Sequence, residues 1–500
     1  MARENIIELI RQRAHPEAVA LMEGEESQTY GDLLSASAEL AIAIRAQLGP
    51  VSDLRVRRVG VHHKSGGDYI ALALGILEAG GCFVPIPEEL APAEKRELCE
   101  RTSLDAVLCE PGFVAEWLPN GRPVRIELGG FAFDWHRLDA GNSELPEAEF
   151  ASLNPAFVRF SSGTTGRSKG VVLSHTSLRE RITAANTGLK IGPEDRVLWV
   201  LPMAHHFAVS IILYLYHGAT TILSEGPVGG DLLDAAIGAE ATVMYGSPFH
   251  FRQLTGSACD REWSSLRLAV STAAALDSAT ASSFERRFGR PLVQGFGIIE
   301  AGLPFLNLAA PSSQPESIGQ LLDGYEAKLR PLAPSPDKTV GELCLRGPGL
   351  FDAYLDPWQL RKTVVGDDGW FATGDLATCD SDGNWFVCGR LKSIINVGGM
   401  KVFAEEVERV LSEHPGVQRS LVSGQPHAVF GEVPVATYIP VDGPLRLAEL
   451  KQHCRQHLSA FKVPLIFTAA EKLPTTASGK LRRVTPCVSE SILSNRTAST

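Results

Sequence analysis

The sequence predicts an α/β protein: a large N-terminal domain of mixed and parallel sheets with packed helices, then a small C-terminal α/β domain. Three observations predict it. The chain has 500 residues, too many for one ordinary domain and enough for roughly two to four. Strand-like and helix-like runs alternate along it, and 47 Gly and 31 Pro supply the many connections such alternation needs. A Gly- and Asp-rich stretch near residues 367–390 precedes a compact segment of about 110 residues, an ordinary domain size. The spacing places the boundary near Gly389 to Ser393, giving domains 1–390 and 391–500.

The elements follow in order. The N-terminal run Met1 to Arg13 interleaves charge with apolar residues and predicts an amphipathic surface helix, not a signal peptide. Tyr69 to Ala79 predicts a helix, and Cys82 to Ile86 a short buried strand stopped by Pro87. Ala156 to Ser161 predicts a strand, Val171 to Leu173 its return, Thr176 to Ala185 a helix, and Arg196 to Leu201 another strand. Ala208 to Leu223 is the most apolar stretch. Broken by His217 and Gly218, it is too short to span a bilayer and predicts a buried helix followed by a strand. Asp367 to Arg390 carries hairpin turn chemistry, Ala404 to Glu408 opens a helix with acids near its N-terminus, and the Ser- and Thr-rich tail after Cys487 is expected to fray.

Net charge is -11, which argues against a nucleic-acid scaffold because phosphate-backbone binding needs a broad basic surface. Nine cysteines with no C-x-x-C pair read as reduced thiols, mostly small buried side chains, in a cytoplasmic protein without a zinc site.

The segment Ser161, Ser162, Gly163, Thr164, Thr165, Gly166, Arg167, Ser168, Lys169, Gly170 concentrates what a phosphate needs. Glycines let backbone N–H groups turn toward an anion, hydroxyls donate to its oxygens and cations neutralise it. A plain Gly/Ser turn would share the composition, but few linkers lie between two apolar strands. A Walker A loop is excluded by spacing, since Lys169 precedes Gly170 instead of Ser or Thr and follows Gly166 by three residues.

This segment resembles the phosphate signature of the adenylate-forming superfamily, [ST]-S-G-[ST]-T-G-x-P-K-G, with Ser168 in place of the common Pro. Acyl- and aryl-CoA synthetases, luciferases and peptide-synthetase adenylation domains belong to that superfamily. Further motifs follow in the family's order from Gly81 to Lys480, about four-fifths of the chain. By resemblance, the loop holds the β- and γ-phosphates of ATP. Leu201 to Phe207 resembles P-x-x-H and puts His205 beside the carboxylate pocket; a lone His in an apolar stretch is otherwise a packed core residue. No acid follows in Phe207 to Ile211, so a buried ammonium would lack a partner and a simple acyl or aryl acid fits better than an amino acid.

Leu266 to Leu276 resembles the strand and turn along adenine and the acyl pocket, with Ala273 and Ala274 at the nucleotide and Thr272 where the family prefers Gly. Gln294 to Gly302 resembles Y-G-x-T-E: Phe296 takes the adenine-stacking position and Glu300, with Thr165, the Mg²⁺ position. Ile299 stands where the family has Thr, removing a phosphate donor worth on the order of 1–3 kcal/mol. Thr373-Gly374-Asp375 matches T-G-D, which implies that Asp375 accepts from both ribose hydroxyls. Arg390 implies a nucleotide contact, Ser393 a hinge, and Gly398 and Gly399 the border of a thiol tunnel. Leu473 to Lys480 matches L-P-x-T-x-x-G-K, with Lys480 reaching the carboxylate and α-phosphate from the small, mobile domain. Phe207, Ser247, Phe249, Thr272, Gly297 and Leu303 are candidates for lining the acid pocket.

The resemblance implies ATP-dependent formation of an acyl-adenylate with pyrophosphate release, then transfer to coenzyme A. A carrier-protein phosphopantetheine is the rival acceptor. Oxidation or ring closure of the adenylate, and a degenerate ligand-binding member, are further alternatives; Ile299 favours the last, while Lys480, Asp375 and Glu300 oppose it. Lys480→Ala is expected to abolish adenylate formation while leaving fold and ATP binding intact, measured as acid-dependent pyrophosphate release beside a binding titration.

Overall fold

The structure is a computed structural model that describes residues 3–49, 55–118, 123–128, 130–138, 145–160, 169–224, 229–257, 261–332, 339–397, 400–427 and 430–474. Among these residues the strands form two nine-stranded sheets, one of four strands and one of five. In the first large sheet, Leu292–Ile298, Leu268–Ser271, Val243–Gly246, Arg196–Trp199, Thr220–Leu223 and Val19–Glu23 run parallel, with antiparallel strands at both edges. In the second, Pro155–Phe160, Cys82–Pro85, Arg58–His62 and Ala106–Cys109 run parallel between antiparallel flanks. Their central strands are buried at nearly every residue, as parallel strands covered on both faces must be.

One continuous core holds residues of both large sheets and of helices beside them. Phe83, Phe157 and Leu173 come from one sheet, Val197, Val270 and Phe305 from the other, with Leu74, Ile182 and Leu213 from the helices Gly67–Glu78, His175–Leu189 and Ile211–Tyr216. The helix His175–Leu189 starts where it does because the Ser174 hydroxyl accepts the Ser177 N–H at 3.0 Å, an N-cap. Asp352 braces that cap, accepting from the Ser174 N–H at 2.6 Å and the Ser177 hydroxyl at 2.7 Å. The helix Ile6–Arg13 is amphipathic as expected, but its Ile6, Ile7 and Ile10 are fully covered, so it belongs to the core as much as to the surface.

The third sheet, Glu326–Pro331, Gly341–Arg346, Phe371–Cys379 and Trp385–Arg390, is antiparallel throughout and contains the hairpin read from the turn chemistry. It is stitched to the first sheet by backbone bonds from Ile318 N–H to the Trp385 carbonyl and from Trp385 N–H to the Gly319 carbonyl, both at 2.9 Å. A short 3₁₀ turn, Leu391–Ser393, then leads to Ile394–Val397 in the fourth sheet. That sheet packs Ile395, Val422 and Ala436 against Val407, Leu411 and Leu450 in a core of its own. The helix Ala404–Ser412 opens at the predicted residue with Glu405 and Glu406 in its first turn.

The described cysteines are free thiols; Cys82, Cys99, Cys109, Cys344 and Cys454 are buried and Cys379 is exposed. Among the described residues no helix is long and apolar enough to cross a membrane.

His175, only 3% exposed, accepts the Ile6 N–H on Nδ1 at 3.2 Å. Burial pulls its pKa down from 6.5 to about 4. The neutral ring is the native form, so its contribution is fully present above the unfolded value and is lost as pH falls through the folded one. Wild-type stability is expected to decline between pH 6.5 and 4, and His175→Gln to flatten that slope by about one proton, or about 1.4 kcal/mol per pH unit; urea titrations across this range measure it.

Candidate active site

The strand Pro155–Phe160 is antiparallel to Gly170–Ser174, with Phe160 opposite Gly170. Residues Ser161, Ser162, Gly163, Thr164, Thr165 and Gly166 lie outside the described residues, and so do Gly398, Gly399 and Lys480. Described structure resumes at Lys169. The strand Ala353–Leu355 pairs with Gly170–Ser174, setting Tyr354 against Val171. Lys169 Nζ therefore lies 4.3 Å from the centre of the Tyr354 ring, a cation–π distance. The Tyr354 hydroxyl donates to Glu300 Oε1 at 3.3 Å. One tyrosine thus links the loop lysine to the candidate metal carboxylate. Burial pushes the Tyr354 phenol up, and the Glu300 charge adds to the shift, so it stays a proton donor.

Glu300 sits in the turn joining Leu292–Ile298 to Gly302–Leu306. Three backbone acceptors hold this turn: the Glu300 carbonyl receives the Phe351 N–H at 2.8 Å, and Arg181 donates to the Ile299 carbonyl at 2.9 Å and through Nε to the Gly349 carbonyl at 3.0 Å. Gly302 closes the turn at φ +81°, a conformation suited to glycine. Ile299 packs its side chain on the main core. Gly297 cannot carry a side chain without crowding, because an added Cβ would lie 2.8 Å from the Gly302 carbonyl oxygen.

On the acid side, His205 Nε2 meets Glu89 Oε1 at 2.5 Å. Burial pushes the Glu89 carboxyl up, but the His205 bond, its own backbone bond and the charges of His205 and Lys95 outweigh burial and hold it below its usual range. The His205 carbonyl accepts a bond from Arg159. Phe207 is 1% exposed and packs its ring on Tyr69 and Phe83 at 6.0 and 5.3 Å.

On the nucleotide side, Thr272 is buried and donates its N–H to the Gly246 carbonyl at 2.9 Å. Ala273 adopts φ +68°, uncommon for a residue with a Cβ. Ala274 is exposed beyond it. The turn is tied down by buried Gln294, whose side-chain oxygen receives the Leu276 N–H at 2.6 Å. Phe296 is half-buried and meets Phe305 at 6.0 Å, while Leu303 is buried. Ser247 caps Pro248–Gly256, bonding His250 Nδ1 at 2.8 Å, and Phe249 stays 49% exposed on that helix. Asp375, buried at 2%, sits directly across the hairpin from Arg390, whose Nε donates to Oδ1 at 2.8 Å. Ser393 ends the turn between the third and fourth sheets.

Contact thus joins Lys169 to Glu300 through Tyr354, and Asp375 to Arg390, as sequence spacing could not show. Glu89, Tyr354 and Arg181 were not singled out from the sequence. Arg159 had a signal, a cation in the otherwise apolar strand preceding the loop. Tyr354 had none, since its partners lie far away along the chain.

Lys169, Tyr354 and Glu300 in contact beyond the hairpin end, with a buried carboxylate–arginine pair on the third sheet, are compatible with the nucleotide-using, acid-activating class that the sequence resembles. Comparison with known proteins agrees. The profile of the AMP-binding enzyme family matches residues 10–355, and that of the AMP-binding enzyme C-terminal domain residues 406–480. A feruloyl-CoA synthase of Amycolatopsis is 30% identical over 484 residues, covering 94% of this chain and 96% of that protein. A sulfoacetate–CoA ligase of Cupriavidus necator is 31% identical over 442 residues, covering 85% and 86%. Among solved structures, the amide bond synthetase of Marinactinospora thermotolerans superposes with a TM-score of 0.78 at 25% identity, covering 95% and 97% of the two chains. The o-succinylbenzoate CoA synthetase of Bacillus subtilis, in complex with its acyl-adenylate, gives 0.80 at 22% identity over 97% and 98%, a likeness of fold. The chain belongs to the AMP-binding enzyme family. Its reaction class is ATP-dependent activation of a carboxylic acid as an acyl-adenylate, in an AMP-forming acid–thiol ligase.

Gly297→Ala is expected to displace the turn that carries Glu300 and to lower kcat/KM for ATP-dependent adenylation about tenfold or more, at a stability cost of about 1–3 kcal/mol. Initial rates and a denaturant melt separate the two effects.

Proposed function

We propose that this enzyme binds ATP and an acyl or aryl acid beside Lys169, Glu300 and His205, forms the acyl-adenylate, and passes the acyl group to the thiol of coenzyme A. The observation that carries the reading is the Lys169–Tyr354–Glu300 chain at the end of the loop-bearing hairpin. A cation and a carboxylate joined by one tyrosine just beyond Ser161–Gly166 support the reading that a triphosphate binds there. Relatives named for coenzyme A thioesters support this acceptor.

In this reading one carboxylate oxygen attacks the α-phosphorus, and the bond from that phosphorus to the bridging oxygen of pyrophosphate breaks. No enzyme nucleophile is needed. Negative charge gathers at the phosphorus in the transition state, so fixed cations and N–H donors do the catalytic work. Lys169 and Lys480 supply the cations. The loop hydroxyls and amides, including Ser162, Thr164 and Thr165, hold the β- and γ-phosphates. Asp375 takes the ribose hydroxyls, with Arg390 holding its carboxylate in place, while Phe296, Ala273 and Ala274 form the adenine wall.

Mg²⁺ fits Glu300. Among the described residues its carboxylate has one neutral partner, Tyr354, and no ion pair, and a hard cation shared with phosphates and water can use a single carboxylate. When bound, the ion neutralises triphosphate charge. Thr165 is its second candidate contact. His205, held by Glu89, flanks the acid. Residues 1–390 form the adenylating body and 391–500 the domain that turns about Ser393 and brings Gly398 and Gly399 to the thiol path.

Acid-dependent exchange of labelled pyrophosphate into ATP, run across aliphatic, aryl and amino acids, tests the reading. Exchange with aliphatic or aryl acids is expected, together with thioester formation when coenzyme A is added. No exchange with any acid would sink the proposal. Thioester on a phosphopantetheinylated carrier protein, but none on coenzyme A, would replace the acceptor.

A further inference from the structure

Two buried hydrogen-bond donors that adenylation leaves unused lie beside His205. Arg159, next to last in the strand Pro155–Phe160, bonds through Nη1 to the His205 carbonyl. Its Nε is buried and has no hydrogen-bond partner among the described residues. The Tyr69 hydroxyl, from the helix Gly67–Glu78, is also buried and without a hydrogen-bond partner among the described residues, on a residue only 1% exposed. The two groups feel each other: burial pushes the phenol up and the Arg159 charge pulls against that shift. The Tyr69 ring rests on Phe83 and Phe207 at 5.9 and 6.0 Å.

A buried donor left unbonded costs about 1–3 kcal/mol, and a buried charge left unpaired costs more. Burial already pulls the Arg159 guanidinium down to about 10, against the pull of the Glu300 charge. Arg181, fully buried beside the partly buried Arg159, bonds through its guanidinium to the Ile299 and Gly349 carbonyls. Among the described residues neither guanidinium touches a carboxylate. A cationic donor against His205 and a neutral donor against Phe207, both without a hydrogen-bond partner among the described residues, flank the same short turn and offer a site that an anion would complete. The position favours the acid over ATP: Arg159 and Tyr69 contact His205 and Phe207, whereas Lys169, Tyr354 and Glu300 serve the triphosphate.

We infer that Arg159 and Tyr69 form a subsite for a second anionic oxygen group on the carboxylic acid. The activated acid then carries two anionic groups, one that attacks phosphorus and one that is held unreacted by Arg159 Nε–H and the Tyr69 hydroxyl. Because Arg159 bonds to the backbone of His205 itself, the spacer between the two groups is short. This rests on the adenylation reading above. A carboxylate and a sulfonate share the required chemistry.

The test is pyrophosphate exchange by the full chain with propanoate and butanoate, set against malonate, succinate and 3-sulfopropanoate. The best doubly charged acid is expected to exceed its singly charged counterpart in kcat/KM by about tenfold or more. Whether carboxylate or sulfonate wins identifies the group. Arg159→Gln and Tyr69→Phe should each remove most of that ratio while KM for ATP stays within about twofold, and Arg159→Lys should recover part of it. The wild-type panel decides the matter even where a variant fails to fold. Equal rates for singly and doubly charged acids overturn the inference and leave adenylation standing. So does a rise in KM for ATP in Arg159→Gln with the ratio unchanged, since the guanidinium would then serve phosphate. Exchange with no acid overturns both readings.

Discussion

The antiparallel register between Pro155–Phe160 and Gly170–Ser174 fixes the two strand ends that the candidate phosphate segment joins. A slip of one residue would turn every side chain of a strand to the other face. Phe157 and Leu173 would then leave the shared core, and Lys169 would leave Tyr354. The register is held from outside by Ala353–Leu355 and from below by the Asp352 bonds to the cap of the following helix. Residues 352–354 therefore brace the strand, seat the helix and deliver Tyr354 to Glu300 within three consecutive positions.

Charge around the crevice is arranged in two ways. Asp375 with Arg390, and Glu89 with His205, are matched pairs whose partners fix each other's orientation. Lys169 and Glu300 are held apart by a neutral phenol instead of neutralising one another. A direct lysine–carboxylate pair would have to be broken before either group could serve a ligand. An intervening tyrosine fixes both positions and leaves both charges available.

Local chemistry made much of this legible in the sequence. The helix beginning at Ala404, the hairpin ending at Arg390 and the buried strand from Cys82 follow from capping, turn residues and apolar runs, which act within a few residues. The segment Ser161 to Gly170 stood out as a phosphate candidate because its residue types meet the demands of an anion. The bracing by Asp352, the bridge through Tyr354 and the Glu89–His205 pair were not, because each joins positions on separate strands and turns, and nothing in local spacing encodes their meeting. Ile299 shows a third case. Its side chain removes a hydroxyl, as the sequence says, yet its carbonyl anchors the turn through Arg181, a role that any side chain at that position would permit.

The fourth sheet has its own apolar core, while the two large sheets share one. Loss of packing in the shared core is therefore felt across both large sheets. The small body can lose its order without taking them along. Separate cores permit separate melting, so heat or denaturant is expected to unfold the chain core by core.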